Sequence, residues 1–148
     1  MEWIILFAVS WILFFLLADW KRLKANILCG LLAIVLQMSI DTAGINHGFY
    51  EINNALIKIL GSSLFFVLGP VLTIASLLAQ LHPGKWWMRV LNVFVLAALF
   101  SIQEWLLLVR GALKYTNWNT VNSIMVNICA MIIFSWITIV VLDRKGQA

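Results

Sequence analysis

LFSIQEWLLLVRGALKYTNWNTVNSIMVN, residues 99–127, decides how the rest of the chain is read. Two apolar segments meet in it, joined by a short basic and aromatic link at residues 110–118. The first segment carries Gln103 and Glu104 among leucines. The second sets Asn119, Ser123 and Asn127 at four-residue spacing, which is one face of a helix. A charged side chain inside a membrane span costs roughly 2.5–3.5 kcal/mol on insertion scales, so it turns toward other helices and marks a site or a packing device. The stretch therefore predicts a membrane helix bundle with a polar cluster inside it.

Composition points the same way. A chain of 148 residues that is 64% hydrophobic and 11% charged is not an ordinary soluble domain. Its length accommodates one bundle, expected as a single transmembrane helical domain over residues 1–148. A net charge of +4 would suggest nucleic acid in a soluble protein, but the basic residues sit mostly at the ends of apolar runs. The membrane accounts for them, and no nucleic-acid partner is expected. Cys29 and Cys129 fall inside apolar segments without CxxC or CxxH spacing, so they read as small buried hydrophobes.

The apolar runs predict five transmembrane helices, an all-α bundle with spans at 3–18, 25–43, 59–81, 90–109 and 119–142. The first has Glu2 before it and Lys21, Arg22 and Lys24 after it, the reverse of a signal peptide, so a retained helix with its N-terminus outside is expected. Residues 41–58, DTAGINHGFYEINNALIK, form the longest polar stretch. Gly44 and Gly48 read there as helix-ending signals, and a short interfacial helix is expected around 52–57. Gly69-Pro70 predicts a plain kink near residues 66–69, and Gly61, Ser62 and Ser63 offer a small-residue surface for close packing. HPGKWWMR, residues 82–89, makes the next turn. With the N-terminus outside, Lys21, Arg22, Lys24, Lys85, Arg89, Arg144 and Lys145 lie inside, against Lys58, Arg110 and Lys114 outside. Seven against three supports an N-out, C-in threading.

That threading gathers Glu104, Gln103, Asn122, Asn127, Gln37 and Asp41 in the outer half of the bundle. One reading is helix–helix glue, since interhelical hydrogen bonds average about 0.6 kcal/mol. The other is a ligand, cation or proton-linked site open to the outside. For enzyme chemistry Asp41 and Glu104 are the two carboxylates that could share a site, but carboxylates at helix ends are frequent and no spacing rule joins these two. HExxH, GxSxG and P-loop patterns are absent, and no catalytic residue is assigned. His47 and His82 fall on opposite sides of a core about 30 Å thick, so they cannot ligate one haem, and no metal or cofactor is expected.

Between residues 68 and 133 the order is Gly69-Pro70 in a helix, LHPGKWW, and Glu104 late in the next helix. Gly111, Tyr115, Trp118 and an Asn-bearing last helix follow. This order resembles a family of small, functionally uncharacterised integral membrane proteins of endospore-forming Gram-positive bacteria. The resemblance implies a bacterial cytoplasmic membrane and four or five helices, and it implies no activity or ligand. The expected function is that of a non-enzymatic cell-membrane protein, an accessory subunit in the lipid bilayer that binds a membrane-protein partner or a second copy of itself. The alternatives are a small transporter or ion- or proton-linked protein built around Glu104, and a membrane-embedded enzyme acting on lipid or quinone.

Overall fold

The computed structural model describes residues 1–21 and 23–141. Arg22, Arg144 and Lys145 of the charge count, and the expected end of the last span at 142, lie outside the described residues. Five helices make up most of the fold: Glu2–Leu17 (α1), Leu23–Asn46 (α2), Leu64–Gln80 (α3), Trp86–Val109 (α4) and Thr120–Val141 (α5). Three of them are long and apolar enough to cross a membrane, in α2, α4 and α5, while α1 and α3 are shorter. Large apolar side chains such as Leu31, Val35, Phe94, Trp105, Met125 and Trp136 stand exposed on the long helices. A helix apolar on its outward face suits lipid rather than water.

Spatially, α1 lies on α3, α3 has its widest contact with α2, α2 reaches α5, and α5 packs along α4. Glycines permit the tightest of these approaches. A side chain at Gly30 would overlap Ser76 and Leu72 of α3, and a Cβ at Gly69 would stand 2.9 Å from the Phe7 Cα of α1. At the far end Gln80 ties α1 to α3, donating to the Leu17 carbonyl at 2.9 Å and accepting from the Asp19 N–H at 2.7 Å.

One helix, α4, starts at Trp86, inside the expected 82–89 turn and four residues ahead of its expected span, and the structure departs from the apolar runs in four further places. First, α3 starts at Leu64 rather than at residue 59, because a hairpin of Lys58–Ile59 (β2) and Ser62–Ser63 (β3) takes up the preceding residues. Its turn holds Leu60 at φ 50° and Gly61 at φ 87°, so the run ILG is apolar yet not helical. Second, the kink is a widened π turn over Val67–Val71. Pro70 lacks the N–H that would bond the Phe66 carbonyl, and its ring crowds that carbonyl. The extra residue in the turn relieves both, with the Leu72 N–H reaching back five residues to Val67. The indole of Trp11 donates to the Leu68 carbonyl at 3.1 Å, which a regular helix would have paired with Leu72.

Third, α2 runs on through Gly44 and ends only before Gly48. Gly48 takes the left-handed conformation (φ 66°), with Gly48 N–H bonded to Ile45 O and Phe49 N–H to Gly44 O, both at 2.9 Å. That pair of bonds is a Schellman closure. Fourth, no helix forms at 52–57. Tyr50–Ile52 (β1) instead pairs antiparallel with Leu113–Tyr115 (β4), in the register Tyr50 with Tyr115, Glu51 with Lys114 and Ile52 with Leu113. The opposite charges of Glu51 and Lys114 favour that register on the outward face. Ile52 and Leu113 turn inward to a buried cluster with Trp3, Leu107 and Ala112. The two-stranded pair thus caps one end of the bundle.

Candidate functional site

Side chains two residues apart on a strand share a face, so Tyr50 and Tyr115 point inward with Ile52 and Leu113. Directly opposed in the strand pair, each tyrosine reaches a carboxylate on a different helix. The Tyr50 hydroxyl donates to Asp41 Oδ1 of α2 at 2.9 Å, and the Tyr115 hydroxyl donates to Glu104 Oε1 of α4 at 2.8 Å. Gly44 makes the first reach possible. A Cβ there would stand 2.5 Å from the Tyr50 ring, so the ring crosses α2 only over glycine.

Asp41 is buried, and its Oδ1 also accepts from Gln37 Nε2, one turn back, at 3.0 Å. Its Oδ2 has no partner in hydrogen-bonding geometry, although the Ser62 hydroxyl stands beside the carboxyl. Glu104 is half-buried and accepts three bonds. Besides Tyr115, the Ser123 hydroxyl donates to Oε1 at 2.6 Å and Asn127 Nδ2 donates to Oε2 at 3.2 Å. The indole of Trp118 donates to Ser123 Oγ at 2.9 Å, which leaves the serine proton for Glu104. Ser101 adds a weak acceptor for Asn127 at 3.3 Å.

Both carboxylates face one cavity, whose walls include Trp3, Phe66, Phe100 and Trp118. The centres of water-sized molecules fit over about 90 Å³ of it. One water needs about 10–15 Å³ on that measure, so the cavity has room for several. No Lys, Arg or His lines it, and among the described residues neither carboxylate has an ion pair. Burial holds the Tyr50 phenol well above its usual range, helped by the charge of Asp41, its hydrogen bond to Asp41, and Glu104. Tyr115 is raised as well, by burial first and by Glu104 against a lowering bond to Ser123. Two carboxylates are too few for a metal nest, and no group of three His, Cys, Asp or Glu suited to a metal occurs among the described residues.

Five of the six expected residues meet here: Gln37, Asp41, Gln103, Glu104 and Asn127. Gln103 contributes a buried Nε2 without a hydrogen-bond partner. Asn122 does not meet them. It is exposed, and its backbone N–H is capped by Asn119 Oδ1 at 2.8 Å, so the Asn119–Ser123–Asn127 row divides into one helix cap and two cavity residues. Cys129, expected to be buried, is exposed on α5, while Cys29 is buried as expected. Tyr50, Tyr115 and Trp118 are the site residues that composition and hydropathy missed, while Ser123 stood in the four-residue row without being counted among the candidates. The one available signal was the alternation in YEI and LKY with opposite central charges.

Fold and site together define a class: a helical bundle with three apolar helices of membrane-spanning length and an acidic cavity beneath a strand cap. Comparison with family models, curated proteins and solved structures found no match to this chain.

Proposed function

We propose that this is a non-enzymatic, five-span protein of the bacterial cytoplasmic membrane, N-terminus outside, that binds a small cationic solute in its outer cavity. The carrying observation is that Asp41 and Glu104, from different helices, face one cavity whose walls hold no cationic side chain. Two carboxylates drawn into a low-dielectric space repel one another, and an incoming cation relieves that repulsion. The basic residues support the threading. Lys21, Lys24, Lys85 and Arg89 lie at the end away from the strand cap, and Lys58, Arg110 and Lys114 lie at the cap. The family resemblance supports the bacterial membrane. This reading takes the site of the transporter alternative and assigns it binding rather than passage.

Thermal unfolding in nanodiscs tests it, with methylammonium chloride as the probe and sodium chloride at equal ionic strength as the control. Wild type should gain about 1.4 kcal/mol when the free cation reaches ten times its dissociation constant. Asp41→Asn should lose most of that gain. Equal responses from the two proteins would sink the cation reading.

A further inference from the structure

The acidic cavity holds its two carboxylates inside walls that are mostly apolar. Five aromatic side chains line it, each from a different part of the chain: Trp3 of α1, Tyr50 of β1, Phe66 of α3, Phe100 of α4, and Trp118 between β4 and α5. Neighbouring rings stand steeply to one another. Trp3 meets Phe66 at 76° with ring centroids 5.8 Å apart, and Tyr50 meets Trp118 at 63° and 6.4 Å. Their polar groups are already engaged. The Trp3 indole N–H donates to Asn53 O, the Trp118 indole N–H to Ser123 Oγ, and the Tyr50 hydroxyl to Asp41. A ring has a positive edge and a negative face, so with those edge groups taken the rings offer a ligand their carbon surface.

The carboxylates have little left for a hydrogen-bond donor. Glu104 accepts two bonds at Oε1 and one at Oε2, and both bonds to Asp41 go to Oδ1. Asp41 is 4% exposed, and its Oδ2 is buried with no partner in hydrogen-bonding geometry. A primary ammonium brings three N–H donors. What remains for them is one lone pair of Glu104 Oε2 and the uncharged amide and hydroxyl oxygens of the walls, and a donor left unmet in a buried site weakens binding. A quaternary ammonium has no N–H to satisfy. Its charge is spread over methyl groups, which answer carboxylates through space and lie against aromatic faces. Size agrees: the space for water-sized centres, about 90 Å³, holds about six waters, and tetramethylammonium is a compact ion of one nitrogen and four methyl groups.

We infer that the acidic cavity is a quaternary-ammonium site, in which a trimethylammonium group sits among the aromatic walls with Asp41 and Glu104 as its counter-charges. This rests on the cation reading above and adds the kind of cation. A free solute and a lipid headgroup both supply that group, and the chemistry recognised is the same.

The test is a methylation series, methylammonium, trimethylammonium and tetramethylammonium chloride, titrated calorimetrically onto the protein in phosphatidylglycerol nanodiscs, with protein-free nanodiscs subtracted. Affinity should rise by up to about fourfold for each methyl group buried, and by about tenfold or more from methylammonium to tetramethylammonium. Neutral tert-butanol, of similar shape, should show no binding over the same range. Phe100→Leu removes one ring and keeps both carboxylates, and it should lower the tetramethylammonium-to-methylammonium affinity ratio by about threefold or more. If that variant does not fold, Phe66→Leu should lower the same ratio. In phosphatidylcholine nanodiscs, weaker tetramethylammonium binding through competition assigns the group to a lipid headgroup, and unchanged binding assigns it to a free solute. Affinities that stay level or fall along the series would overturn the quaternary site and leave the cation site standing. An unchanged ratio in whichever ring variant folds would overturn it as well. Failure of every ion to bind, or equal binding of tert-butanol, would instead remove the cation reading on which this one rests.

Discussion

Glu104 accepts hydrogen bonds from Tyr115, Ser123 and Asn127, on two different elements of the fold, and donates none. Removing it takes the common acceptor from three donors at once, leaving Asn127 only the long contact to Ser101 and Tyr115 only the Ser123 hydroxyl. Glu104→Leu should destabilise the bundle by about 2 kcal/mol, since a buried unsatisfied group costs about 1–3 kcal/mol and this site is only partly enclosed. Glu104→Gln, keeping one carbonyl oxygen, should cost less than half of that. Equilibrium unfolding of both variants checks the order, and a larger loss for glutamine would contradict the three-donor geometry. The tyrosines give a pH prediction. Their phenols are raised in the fold, while in the unfolded chain a tyrosine ionises near pH 10. The stability they contribute is complete below about pH 10 and is lost as pH climbs from there toward the folded values. Melting temperature should therefore fall from about pH 10 upward, more shallowly in Tyr115→Phe, whereas matching alkaline profiles for the two proteins would argue against a buried phenol. At this scale the carboxylates and amides were legible because they are out of place in apolar runs. The tyrosines were not, because Tyr suits a membrane interface equally well. The choice of Ser123 over its neighbour Asn122 was also hidden, since the rotation of α5 about its axis is set by packing and not by composition.

At the scale of elements, existence was legible and ends were not. Hydropathy sees ILG at residues 59–61 as a continuation of the α3 run, yet the positive φ of Leu60 and Gly61 turns the chain into a hairpin. Gly44 and Gly48 look alike in sequence and do opposite things, one giving way to a tyrosine ring inside α2 and the other closing the helix. Gly44→Ala should therefore push Tyr50 off α2 and cost about 1–3 kcal/mol, as overpacking does. In Tyr50→Phe, which has lost the Asp41 bond already, the same change should cost less, and a double-mutant cycle reads the difference. Additive effects would mean that Tyr50 and Gly44 do not meet. Pro70→Ala should shift stability by less than about 1 kcal/mol. Trp11 and the five-residue reach of Leu72 already occupy the Leu68 and Val67 carbonyls within the widened turn.

For the whole molecule the directions of the helices carry the threading. Both α2 and α4 run toward the strand cap, because Asn46 leads into β1 and Val109 leads into its partner β4. If both cross the membrane, α3 has to bring the chain back between them, although it is shorter than a typical span. The first helix, α1, runs the same way as α3, with the Trp3 indole bonded to Asn53 O beside the cap at 2.9 Å and Leu17 held by Gln80 at the other end, so on the proposed threading it crosses as well. Sixteen residues of α1 rise about 24 Å against a core of about 30 Å, a mismatch that local thinning accommodates at a fraction of a kcal/mol per Å. The threading proposed from the basic residues predicts that the cap faces outward and the Lys85 turn faces the cytoplasm. Cysteines at two exposed positions, Thr116→Cys at the cap and Lys85→Cys at the turn, test it in a background with Cys29 and Cys129 replaced. An impermeant thiol reagent added to intact cells should modify the first and reach the second only after lysis. Modification of Lys85→Cys alone in intact cells would reverse the orientation, and modification of both would mean that α4, the helix between them, does not cross.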